Sequence, residues 1–193
     1  MAERRRLALV GAVLAVVALP LGLALTDVHL AGQPAALVVS TGAAALAVSA
    51  LTVQPFLAGG GRIRWHRALG GIALVLVLLH LGALFAYEVD DTLFALSLDG
   101  PTRGRMAVLA TAALLAVVAL GVTRRRLPIS GASWRILHGF LAMLVVLLGF
   151  GHAVLTDGAL DGVGTPVLLG FGTVALLGIG SAFVVRTLRA RRA

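Results

Sequence analysis

Apolar residues in this chain come in six long runs, not in alternation with polar ones. The runs are about 7–25, 35–57, 68–87, 106–123, 136–156 and 162–185, and none contains an acid, a lysine or an arginine. A helix needs roughly 20 such residues to cross a bilayer. Strands would alternate, and only a helix satisfies every backbone N–H and C=O within its own segment when lipid is the solvent. The pattern therefore predicts an all-α integral membrane protein, a bundle of six transmembrane helices forming a single domain over residues 1–193. Pro20 lies inside the first run, where a kink is tolerable. Pro34 and Pro166 lie near helix starts, where a missing N–H does no harm. The Gly-rich stretch at 59–61 marks a turn.

The ends of the runs set the orientation. All sixteen basic residues are arginine. Fourteen fall at one set of ends: Arg4, Arg5 and Arg6; Arg62, Arg64 and Arg67; Arg124, Arg125, Arg126 and Arg135; Arg186, Arg189, Arg191 and Arg192. The opposite loops hold only Arg103 and Arg105, with seven of the eight acids. Arginine bias marks the cytoplasmic side, so both termini are expected there, as an even number of spans requires. The net charge of +8 thus reads as a topology signal and lipid-facing charge, and no nucleic-acid partner is expected. The opening MAERRR resembles the basic start of a signal peptide, but the 19-residue run after it exceeds the usual ~7–15, so an uncleaved first helix is expected. With no cysteine, disulfides, iron–sulfur clusters and thiolate metal sites are excluded.

The remaining chemistry is histidine. HRALGGIALVLVLLH covers residues 66–80 and HGFLAMLVVLLGFGH covers 138–152, so the third and fifth helices each carry two histidines fourteen residues apart. Fourteen steps return the helix to within ~40° of its starting face and rise ~21 Å; slight underwinding removes the offset. A lone membrane histidine usually makes an interhelical hydrogen bond. Two matched pairs on co-directional helices fit that account poorly, and ionisable groups at this depth are functional candidates. One metal ion cannot gather all four across ~21 Å, since its ligands must sit ~2.0–2.1 Å away. Separate two-histidine zinc sites would lack further ligands, because no Asp, Glu or Cys lies inside the runs. Pairing across helices at two depths, His66 with His138 and His80 with His152, could instead hold the iron of a flat macrocycle from both faces.

Other residues take supporting readings. Gly70, Gly71, Gly82, Gly139, Gly149 and Gly151 would make room beside the histidines, or serve ordinary close helix packing. Arg67 and Arg135 at the inner end, and Arg103 and Arg105 at the outer, are candidates to neutralise propionates. Trp65 and Trp134 read as interfacial anchors. Met143 reads as core, and His29 as a solvated loop residue with a lesser claim to a substrate-side role. No residue is singled out as catalytic.

RIRWHRALGGIALVLVLLH and RRLPISGASWRILHGFLAMLVVLLGFGH resemble the ferric reductase-like transmembrane domain, most clearly over 62–152. The haem-binding membrane subunit of the bacterial methionine sulfoxide reductase system is one member type of that family. The resemblance implies two b-type haems, one on His66 and His138 and one on His80 and His152. It also implies a multi-pass protein of the cell inner (plasma) membrane that passes electrons to an outer acceptor, either ferric iron or a periplasmic or extracellular reductase. Larger members add a flavin and nicotinamide domain. Here no Gly-rich dinucleotide fingerprint follows a strand, so the expected donor is a separate flavoprotein, an FMN bound at the cytoplasmic face, or a membrane quinol. Two other readings stay open: a quinol-linked cytochrome b561-like module, and a haem-free polytopic transporter.

Overall fold

The computed structural model describes the backbone of residues 2–59, 61–158 and 160–190, and the side chains of 11, 14–59, 61–158 and 160–182. The described residues form seven α-helices and two short 3-10 turns, with no strand. The α-helices are α1 (Ala2–Leu25), α2 (Ala35–Val53), α3 (Ile63–Tyr87), α4 (Val89–Leu96), α5 (Thr102–Thr123), α6 (Gly131–Val154) and α7 (Gly164–Ala190). Five of them, α2, α3, α5, α6 and α7, are long and apolar enough to cross a membrane. The first expected run falls on α1, whose described apolar stretch is Leu14–Leu25. The arginines at the chain's two ends lie outside the described side chains.

Four of the helices, α1, α3, α5 and α6, begin earlier than the apolar runs. A hydropathy run stops at the first charge, whereas a helix continues through arginines whose heads reach water. So α3 starts at Ile63 and takes Arg64, His66 and Arg67 into its first turns. Likewise α6 starts at Gly131, where the Ser130 hydroxyl accepts from the Ser133 N–H at 3.0 Å. The α-helical part of α2 ends at Val53 because Pro55 follows, and Gln54–Leu57 tightens into a 3-10 turn.

Two antiparallel hairpins, α2 with α3 and α5 with α6, carry most of the packing, and α1 and α7 flank them. α2 is the most buried span. Its run of Ala43, Ala45, Ala47, Ser49 and Ala50 lets neighbouring backbones approach closely, which drives association where no hydrophobic effect separates helices from lipid. Val48, Val146, Phe150, Leu168 and Ala175 fill the seam between α2, α6 and α7. A second cluster of Ala113, Leu114, Val117 and Val145, with Leu74, Val77, Leu141 and Leu144 against it, joins α3, α5 and α6 at mid-span. Leucines, valines and isoleucines such as Ile72, Val75, Leu109 and Leu177 stay exposed around the bundle, as lipid-facing positions must.

The short helix α4 is not among the expected elements. Eight residues with two acids make no long apolar run, so hydropathy does not show it. It carries Asp90 and Asp91 in its first turn, where the helix dipole favours them. Its C-terminal end lies against the start of α5, and a Cβ at Gly104 would strike the Ala95 carbonyl oxygen. Replacing Gly104 by Ala should therefore destabilise the protein by about 1–3 kcal/mol, read as a lower unfolding temperature in detergent. Gly121→Ala, on the same helix with nothing within 4 Å, should leave that temperature unchanged or slightly raised.

Candidate functional site

The four histidines are placed by the hairpins that carry them. On α3, the His66 Nδ1 lies 3.0 Å from the Gln54 carbonyl oxygen. That carbonyl lies where α2 tightens into the 3-10 turn Gln54–Leu57. The Gln54 side-chain amide donates back to the His66 carbonyl at 3.4 Å. A Cβ at Gly70 would come within 2.7 Å of that amide nitrogen, so the glycine admits it. Further along α3, the His80 Nδ1 lies 3.1 Å from the Ser40 carbonyl and 2.8 Å from the Ser40 hydroxyl. On α6, the His152 Nδ1 lies 3.0 Å from the Arg103 carbonyl in the first turn of α5. His138 stacks against Trp134, with centroids 4.7 Å apart and planes 18° apart.

A carbonyl oxygen can only accept. At His66, His80 and His152 it must therefore be Nδ1 that carries the proton, which leaves the lone pair of the neutral ring on Nε2. The ordinary interhelical hydrogen bond thus accounts for one nitrogen of each of these rings and not for the other. The rings pair as expected across the bundle. His66 and His138 have centroids 6.1 Å apart at 54°, and His80 and His152 have centroids 6.4 Å apart at 59°. A metal–imidazole bond is ~2.0–2.1 Å. With about 1.1 Å more from nitrogen to ring centroid, two imidazoles on opposite sides of one ion place their centroids roughly 6.3 Å apart. Both pairs have that separation. No three His, Asp or Glu side chains gather into a metal-binding group among the described residues, so an ion held here would need its other ligands from elsewhere.

The remaining candidates separate. Arg67 and Arg135 are exposed at the arginine-rich end, and Arg135 shares the space over Gly131 with Arg124. Arg103 pairs with Asp157 at 3.2 Å, and Arg105 bonds the Leu98 carbonyl and the Thr102 hydroxyl; both are committed to the protein. Trp65 is exposed, as an interfacial anchor should be, with Arg64 over its ring. Trp134 departs from that expectation: it is half-buried on His138, and its indole N–H donates to the Leu120 carbonyl at 3.3 Å. Met143 is not core. It is exposed on the same helix as Phe140 and Leu147, because α6 turns Val145 and Val146 inward instead.

His29 is largely solvated, and its ring and backbone N–H both bond Asp27, which together hold that carboxyl below its ordinary range. Of the glycines, Gly71, Gly82 and Gly139 have nothing within 4 Å of where a methyl group would stand. Gly70 and Gly151 instead admit Gln54 and Met106, which is close packing. Sequence reasoning missed Ser40 and Gln54, although they too stand fourteen residues apart.

Ferric reductase like transmembrane component is the family that matches, over residues 11–149. The matched stretch contains His66, His80 and His138 and stops three residues before His152. Neither the curated proteins nor the solved structures give a match. The family match covers well over half of the chain and coincides with several membrane-capable helices, so this is a multi-pass membrane protein belonging to the ferric reductase-like transmembrane family.

Proposed function

We propose that the chain is a dihaem b-type membrane cytochrome that passes electrons across the membrane to an outer acceptor. The observation that carries this reading is the pair of interhelical histidine separations, 6.1 and 6.4 Å, at two levels of the bundle. His66 and His138 would hold the inner haem, and His80 and His152 the outer. A haem with both axial positions filled by imidazole supplies a one-electron carrier and disfavours oxygen binding. The protein's part is to fix the ligands. Nδ1–H bonds to backbone carbonyls at three histidines select the tautomer and the ring orientation, and raise ligand basicity. Leu74, Val77, Leu141, Leu144 and Val145 exclude water from the span between the two levels. Arg67 and Arg135 are the guanidiniums left for propionates; Arg103 would have to leave Asp157 to serve.

In this reading α1 is the sixth span, residues 1–193 are one domain, and the arginine-rich ends with both termini face the cytoplasm. The membrane is the cell's inner one, and the donor is a separate flavoprotein, a bound FMN or a quinol. The acceptor is ferric iron or a reductase outside.

Purified protein should show a reduced-minus-oxidised b-type spectrum with two haems per chain by extraction, and absence of that spectrum ends the reading. His80→Ala or His152→Ala should each remove one haem and leave the other, and His66→Ala or His138→Ala should remove the complementary one. Loss of both haems from every variant, or of neither, would break the pairing. Reporter fusions should place the C-terminus in the cytoplasm; a C-terminal reporter active only outside would reverse the orientation. Inhibition of haem reduction by a quinone-site inhibitor would identify the donor as quinol instead of flavin.

A further inference from the structure

We infer that Ser40 is a positioning residue that tunes the ligand His80 and so makes the two haem levels unequal, an inference that rests on the dihaem reading above. Helix-buried hydroxyls commonly bond back to the carbonyl one turn earlier. On α2 this is what Thr52 does with Val48 at 2.9 Å and Ser49 with Ala45 at 3.0 Å, Ser49 also reaching the Val16 carbonyl of α1 at 2.8 Å, away from any histidine. Ser40 does not. The residue is 1% exposed, and its hydroxyl reaches across to α3, donating to the His80 carbonyl at 3.2 Å and standing 2.8 Å from Nδ1. The His80 Nδ1–H therefore meets two acceptors of one residue, the Ser40 hydroxyl oxygen and the Ser40 carbonyl at 3.1 Å.

The inner ligand on the same helix lacks this. The His66 Nδ1 has the Gln54 backbone carbonyl, while the Gln54 side chain goes to the His66 carbonyl. A side-chain acceptor on Nδ1 thus exists at only one level of α3. Acceptors on the outer nitrogen of a ligating imidazole raise its basicity. A more basic axial ligand stabilises the ferric state, and hydrogen bonding around the ligands is one of the protein's levers on haem potential. Removing the hydroxyl should raise the potential of the haem on His80 alone.

The test is an equilibrium redox titration of the purified haem-loaded protein, followed by absorbance, with low-spin ferric EPR on the same samples. Ser40→Ala should move one of two midpoints upward, shift one EPR signal and leave the other haem unchanged. Ser40→Thr, which keeps the hydroxyl, should restore wild-type behaviour. Ser40→Cys, a weaker acceptor, should move the same midpoint less, and carries the test if the alanine variant fails to accumulate. Thr52→Ala, which removes a hydroxyl from the same helix without touching a histidine, should move neither. Two resolved waves that Ser40→Ala leaves in place overturn this inference alone, as does a Thr52→Ala shift of equal size. A wild-type protein without two haem waves overturns the dihaem reading and this inference with it.

Discussion

A neutral imidazole has one lone-pair nitrogen, and the site depends on which nitrogen that is. Three of the four histidines have the choice made for them by a backbone carbonyl against Nδ1. The carbonyls come from three different places: the 3-10 turn that ends α2, the interior of α2 and the first turn of α5. Each is worth about 1 kcal/mol as a hydrogen bond, too little to account for stability. Their weight lies in specificity, because a ring rotated to put Nδ1 elsewhere leaves its N–H to find a new partner.

Those carbonyls meet their histidines because antiparallel helices rise at the same rate. Ser40 and Gln54 are separated by the same fourteen residues as His80 and His66, so one register between α2 and α3 satisfies both contacts. A slip of one residue along α2 would rotate both partners by ~100° and lose both contacts. The small residues of α2 make that register close enough to work, and the Gly70 notch makes it specific at one end. The hairpin of α5 and α6 has a counterpart at its acidic end, where the Arg103 carbonyl meets His152. At the other end Trp134 stacks on His138 and its indole N–H donates to the Leu120 carbonyl.

Much of this is legible in the sequence. Uncharged runs of membrane length mark the spans, and the repeated histidine spacing marks the pairing, because both follow from helix geometry without tertiary detail. The helix starts are less visible: hydropathy treats Arg64 and Arg67 as boundaries, while the backbone passes through them. Helix α4 stays hidden because its packing rests on two glycines, Gly100 and Gly104, and not on an apolar stripe. Trp134 is misread because a tryptophan at a span entrance is equally consistent with a headgroup anchor, and only the stacking geometry separates the two. Ser40 and Gln54 carry a spacing signal, but serine and glutamine have no chemistry of their own to draw attention to it.

The two ends of the site are held by different means, and magnitudes show which contacts matter. At the acidic end, His152 depends on the Arg103 carbonyl. The Arg103 side chain pairs with an Asp157 that is 88% exposed, and exposed ion pairs contribute only ~0–1 kcal/mol. That pair does not fix the carbonyl. What fixes it is the seating of the first turn of α5 under α4, where Gly104 leaves no room for a methyl group beside Ala95. Displacing α4 would therefore move a histidine, whereas breaking the ion pair would not. At the arginine-rich end, the Trp134 ring is held by an N–H bond to α5 and lies under the Arg124 guanidinium, so His138 is steadied through the helix body instead of a loop.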